Sequence, residues 1–267
     1  MPKIRTDSIE LNYDLFGQGE PLLLIMGFGM PGAAWLPSLP FLGSAFKCIY
    51  FDNRGTGNSE KPEGPYTVEQ MAEDASNLLK ALGIPKARVF GVSMGGMIAQ
   101  ELTLRHPEQV VKVVLGCTMA GGPNAVMASP DIVQKLMEGT KTMASDPEKG
   151  LDITLPLLYP EPFIAQHPEI KQMMLAGMRM MPPTPPETAD RAMQGIATFN
   201  AYDRLDQIKC PVLIVHGDQD VLLPVENAHL IKSRIPQAEL YIIPGAGHAF
   251  QGIDMVGIHQ RIINWLK

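Results

Sequence analysis

Two kinds of hydrophobic pattern alternate along the first 120 residues. Short apolar runs such as "PLLLIMG" (21–27), "FKCIYFDNRG" (46–55), "ARVFGVS" (87–93) and "VVKVVLGCTM" (110–119) are closed by turn-forming residues and read as strands. "SIELNYDLFG" (8–17) has the period-two character of a further strand. Between them, Val68, Met71, Ala72, Ala75, Leu78, Leu79 and Leu82 recur at helical spacing, and "MGGMIAQELTLRHP" (94–107) reads as a helix that stops before Pro107. Strands alternating with helices predict a mostly parallel sheet covered on both faces.

From about Gly121 to Arg204 the rhythm changes. No strand-like run stands out there, most of the 17 methionines lie between Met119 and Met193, and "MPPTPPE" interrupts residues 181–187. This predicts an inserted helical cap, with Pro182-Pro183 and Pro185-Pro186 as a stiff connector between cap helices. Alternation resumes with the strand "CPVLIVHGDQD", a helix near "PVENAHLIKSRIP", the strand "AELYIIPGAGH" and a last helix ending "IHQRIINWLK". The expected organisation is a core in two parts, 1–120 and 205–267, with a cap at 121–204.

Composition narrows the function classes. A chain of 267 residues with 45% hydrophobic and 19% charged positions suits one large globular domain with an insertion. The net charge of −6, without any Lys/Arg block, argues against a nucleic-acid partner or an anionic membrane surface. The run from Leu22 to Leu36 is too short to span a bilayer and is broken by glycines and Pro31. The N-terminal "MPKIRTDSIELNYD" has no apolar core of a signal peptide, so a cytoplasmic location is expected. Cys48, Cys117 and Cys210 are scattered in or beside strand-like segments, which predicts buried free thiols rather than a disulfide framework or metal site. Oligomeric state leaves no mark in the sequence.

The chemistry centres on Gly91-Val92-Ser93-Met94-Gly95, a G-x-S-x-G pattern with a strand before it and a helix after it. A sharp strand-to-helix turn would expose the Ser93 hydroxyl and crowd its neighbours, hence the small flanking residues. A serine hydroxyl needs a base at neutral pH. Of six histidines, His106 suits a helix end, His167, His229 and His259 fall in solvated contexts, and His216 suits packing at a strand end. His248 differs, because "PGAGHAF" follows the last strand with two glycines that let an imidazole reach the serine. The third member would be a carboxylate after another strand, and "HGDQDVLLP" offers Asp218 and Asp220. Both also suit plain turn formation.

Together "PLLLIMGFG", "YFDNRGTGNS", "FGVSMGG", "LIVHGDQDVLLP" and "IPGAGHAF" resemble the α/β-hydrolase superfamily over nearly the whole chain apart from the cap. The resemblance implies an eight-stranded, mostly parallel sheet and a Ser-Asp-His triad. Its G-x-x-D-x-x-x-P pattern falls on Gly217, Asp220 and Pro224, which selects Asp220 over Asp218. It also implies an oxyanion hole from the backbone N–H groups of Phe28 and Met94, and structural roles for Asp52 and Arg54. A serine in this place separates the chain from the aspartate-nucleophile dehalogenases and epoxide hydrolases. Most relatives carry His-Gly where this chain has Met26-Gly27, which bears on the geometry of the oxyanion loop. Met-Gly there resembles the aclacinomycin methylesterase branch.

The implied activity is hydrolysis of a carboxylic ester on a small to medium, largely apolar molecule, with no cofactor or metal. A methionine-rich cap suits either an adaptable apolar pocket or ordinary core, and the segment has no cationic cluster for a polyanion. Lactonase, cofactor-free C–C bond hydrolase and perhydrolase activities of the non-haem haloperoxidase type use the same triad. From another class, a slow-turnover ligand receptor on this fold also retains the serine.

Overall fold

The computed structural model describes residues 2–64, 66–179, 182 and 184–267. The strands are β1 (Lys3–Arg5), β2 (Glu10–Phe16), β3 (Glu20–Ile25), β4 (Phe46–Phe51), β5 (Ala87–Val92), β6 (Val110–Gly116), β7 (Val212–Gly217) and β8 (Glu239–Ile243). They form one eight-stranded sheet in the order β1-β2-β4-β3-β5-β6-β7-β8. β1, β2 and β4 pair antiparallel, and every pairing from β4 through β3 to β8 is parallel. The expected α/β architecture is therefore formed. β1, three residues of "KIR", is too short and polar to announce itself in the pattern.

Helices α1 (Leu39–Leu42), α2 (Val68–Ala81), α3 (Met94–Arg105), α9 (Glu226–Arg234) and α10 (Met255–Leu266) cover the sheet. The Thr67 hydroxyl accepts from the Gln70 N–H to cap α2, whose apolar stripe is buried from Val68 to Leu79. α3 is buried over nearly its whole length, as expected of a helix lying across the middle of a sheet. One core layer joins Leu23, Ile25, Val89, Leu115 and Ile214 to α2, α3 and α9. The other joins Leu22, Leu24, Phe90, Val114 and Val215 to Trp35, Phe250 and α10. Alternate strand residues thus feed opposite layers, which is why these strands read as continuous apolar runs.

Among the described residues, the α-helices between β6 and β7 are α4 (Pro130–Met143), α5 (Pro147–Leu158), α6 (Glu161–Gln166), α7 (Ile170–Met178) and α8 (Pro186–Thr198). The Ser129 and Asp146 side chains cap α4 and α5, each followed by a proline at the first helical position. The insert has a small core of its own around Leu151, Leu155, Tyr159 and Leu175. Pro186 is not part of a connector: it is the first residue of α8, where its missing N–H has no intrahelical use. Met180, Met181 and Pro183 lie outside the described residues. The cap methionines do not share one lining either: Met127 and Met173 are exposed, Met119 joins the sheet core, and Met174 and Met178 pack on the insert's core. Cys48 and Cys117 are buried free thiols and Cys210 is partly buried. His259 departs from its expected solvated setting: it is fully buried and stacks on Phe41 at 5.0 Å. Among the described residues, no helix is long and apolar enough to cross a membrane.

Candidate active site

Ser93 sits between β5 and α3 with φ 56° and ψ −125°, one of two non-glycine residues with positive φ among the described residues. Such a backbone costs about 1–3 kcal/mol and persists only where its surroundings enforce it. Here the Ser93 N–H donates to the Gly116 carbonyl at 2.8 Å, and the Ser93 carbonyl accepts from Gly96 N at 2.9 Å and Thr118 Oγ1 at 2.8 Å. A Cβ on Gly91 would lie 2.1 Å from the Gly95 carbonyl oxygen, and one on Gly95 would lie 2.1 Å from that of Ile25. The small flanks are thus required by backbone crossing backbone.

The loop after β3 runs directly over the serine. A Cβ on Gly27 would stand 2.9 Å from Ser93 Cβ and 3.4 Å from Ser93 Oγ, so the Gly27 backbone lies beside the serine side chain. Met94 opens α3, and its N–H is among those at a helix start without an intrahelical partner. The structure also answers the question raised by Met26. Asn53 Nδ2 donates to the Met26 carbonyl at 2.9 Å, Thr184 Oγ1 from the cap donates to the Gly29 carbonyl at 2.7 Å, and Gly32 N donates to Asp52 at 2.7 Å. Three hydrogen bonds from outside the loop therefore hold it, without a histidine at position 26. Asp52 further accepts from Asn12 Nδ2 and Asn58 N, and Arg54 forms a buried bidentate pair with Asp74 at 2.5 and 2.7 Å.

At the end of β7, Asp220 is buried and its Oδ2 lies 2.8 Å from His248 Nδ1. An ionised carboxylate only accepts, so His248 Nδ1 carries a proton and Nε2 is the nitrogen left for the reacting group. Asp220 Oδ1 accepts from the backbone N–H groups of Leu222 and Leu223, both at 2.9 Å. Burial, the largest single influence, pushes this carboxyl up. The charge of His248 and hydrogen bonds from His216 and His248 outweigh it and hold the group well below the usual carboxylate range. Asp218 instead accepts from Gly245 N at 2.7 Å in an exposed turn.

His248 follows β8 on a loop held by the cap. Ala249 N donates to the Leu158 carbonyl at 3.0 Å, and a Cβ on Gly247 would meet that same oxygen at 2.7 Å. Gly116 and Cys117 bridge the two halves: Gly116 O takes the Ser93 N–H, and Cys117 Sγ lies 4.0 Å from the Gly247 carbonyl oxygen. The serine and the imidazole loop thus flank the end of β6. Among the described residues Ser93 makes no side-chain hydrogen bond to His248; such bonds often tighten only around substrate.

Three donors approach one another inside this region. Cys117 Sγ, a His216 nitrogen and an Asp220 oxygen lie within 4.8 Å of each other, all buried. They make a poor metal site, since burial and the nearby Asp220 charge push the Cys117 thiol up and Asp220 is already engaged by two imidazoles and two amides. Asn53, Thr184, Thr118 and His216 were not singled out as site residues by sequence. Only His216 and Asn53 stood in a motif, in "HGDQD" and "DNRG", and neither position is marked there.

A strained serine at a strand-to-helix turn, beside a glycine loop and a buried carboxylate–imidazole pair at the strand ends, defines a protein of the α/β-hydrolase kind. The family model described as alpha/beta hydrolase fold matches residues 20–253, and the chain belongs to that family. It is similar to a protein provisionally named carbamate hydrolase RutD from Azorhizobium caulinodans, 30% identical over 99% of this chain and 98% of the relative. It is also similar to a protein provisionally named non-heme bromoperoxidase BpoC from Mycobacterium tuberculosis, 32% identical over 90% and 91% of the two chains. Among solved structures, the enol-lactonase of Burkholderia xenovorans LB400 superimposes with a TM-score of 0.83 at 25% identity, covering 99% of both chains.

Proposed function

We propose that this chain is a serine hydrolase that cleaves a carboxylic ester of a small to medium, largely apolar molecule through an acyl-enzyme. The observation that carries the reading is the Asp220–His248 contact of 2.8 Å at the strand ends that also hold the strained Ser93. Ser93 Oγ attacks the ester carbonyl while His248 Nε2 takes its proton. Asp220 keeps Nδ1 protonated and balances the imidazolium charge. The Phe28 and Met94 N–H groups receive the developing oxyanion, the kind of donor whose loss costs about 10²–10³ in turnover. His248 returns the proton to the leaving alcohol, then activates a water that attacks the acyl carbonyl and frees Ser93. The insert, read as residues 121–204, reaches both loops through Thr184 and Leu158. The chemistry needs no cofactor.

A carbamate is a second reading, favoured by the near full-length similarity to RutD, since its carbonyl is open to the same attack. A panel of p-nitrophenyl esters, lactones and aryl carbamates separates the two. The account expects many turnovers on at least one ester, all lost in Ser93→Ala with the thermal melt nearly unchanged. Full activity in Ser93→Ala would end the nucleophile role, and a single slow covalent event in wild type would favour a receptor. Preference for the carbamate would move the substrate class.

A further inference from the structure

We propose that His216 is a positioning residue of the site: a second imidazole whose Nε2–H holds the Asp220 oxygen that faces His248. This rests on the Ser93–His248–Asp220 reading above and adds a fourth side chain to it.

His216 is the penultimate residue of β7 and is fully buried. Its Nε2 lies 2.7 Å from the Leu223 carbonyl oxygen and 3.3 Å from Asp220 Oδ2. A carbonyl only accepts, so Nε2 carries the proton; it bonds the Leu223 carbonyl and stands beside Asp220 Oδ2. Nδ1 is buried with no hydrogen-bond partner among the described residues. His248 is different: its side chain retains 11% exposure, and its second nitrogen remains for the reaction.

The two rings therefore divide the work on one oxygen. Asp220 Oδ2 meets both imidazoles, and Oδ1 meets the Leu222 and Leu223 amides. His216 also grips the Leu223 carbonyl while the Leu223 N–H grips Oδ1, which closes the 220–223 turn into a ring and prevents the carboxylate from rotating away from His248. Sharing Oδ2 has an electrostatic consequence as well. A second N–H beside the oxygen draws charge from it, so Asp220 stabilises the His248 cation less than it would alone, and the base gives its proton up more readily. The titratable groups facing this carboxylate are His216 from β7, His248 from the loop after β8, and the Cys117 thiol after β6.

The test compares kcat/KM against pH on p-nitrophenyl acetate for wild type, His216→Leu and His216→Gln. It is combined with ¹⁵N-histidine NMR of the wild-type protein. Removing the donor in His216→Leu should move the acid limb to higher pH by about half a unit. His216→Gln, whose amide N–H can reach the same oxygen, should return the limb to its wild-type place. The NMR spectra should show His216 with its proton on Nε2 throughout the range in which activity titrates. An unmoved acid limb in a folded His216→Leu, or a His216 that carries its proton on Nδ1 or titrates with activity, overturns the proposal and leaves the triad standing. A wild type inert to the ester would instead undo the reaction reading. The NMR tautomer decides the bond to Asp220 even if His216→Leu does not fold.

Discussion

At the scale of single residues, the site depends on which atoms are left with no choice of partner. Asp220 and Asp218 are two residues apart and look alike in sequence, yet one is buried against His248 and the other pins an exposed turn. Asp220→Asn should lower kcat by about 10⁴, because an amide can donate to Nδ1 and so favours the wrong tautomer. Asp218→Asn keeps a carbonyl oxygen for Gly245 N and should stay within a few-fold of wild type. Steady-state kinetics on the two variants check this, and the reverse ranking would transfer the role. The G-x-S-x-G spacing made Ser93 legible because backbone geometry demands those glycines. His216 was legible only as a buried strand residue, because a hydrogen bond to a side chain four residues on leaves no periodicity behind.

At the scale of elements, the strands and the long helices were readable because each buries a regular stripe. What escaped were elements too short for a period, β1 and α1, and contacts made between elements. The support of the oxyanion loop belongs to the second kind. Nothing in "DNRG" singles out Asn53, and nothing in the proline-rich stretch singles out Thr184, but both reach carbonyls that flank Gly27-Phe28. Asn53→Ala and Thr184→Val should each lower kcat about tenfold, as the Phe28 donor loses its aim, with KM and melting temperature little changed. Kinetics beside a thermal melt distinguish this from general destabilisation. A loss of stability with kcat intact would make both contacts merely structural.

At the scale of the molecule, the sheet gathers the ends of β5, β6, β7 and β8 at one edge, and the cap ties down two loops that carry the site. Global stability should report the buried carboxylate. Because the folded protein holds the Asp220 carboxyl below its unfolded value, the residue contributes stability above about pH 4. That contribution fades as pH falls towards the folded value. Thermal melts of wild type and Asp220→Asn from pH 7 down to pH 2 should therefore converge as the solution is acidified. A gap that is constant or widens would mean that Asp220 is not held as an anion. The parts of the fold set by hydrophobic burial were expected from the sequence. The orientation of the cap was not, since it depends on contacts between elements, such as Ala249 N to Leu158 O and Ala192 of α8 in the sheet core, that leave no pattern in the sequence.

The central claim is that Ser93 is an activated nucleophile. It is tested most directly by intact-mass spectrometry after exposure to a fluorophosphonate, on wild type and Ser93→Ala. Wild type should take one adduct and the variant none. A folded wild type that takes no adduct, or a Ser93→Ala protein that still does, would contradict it.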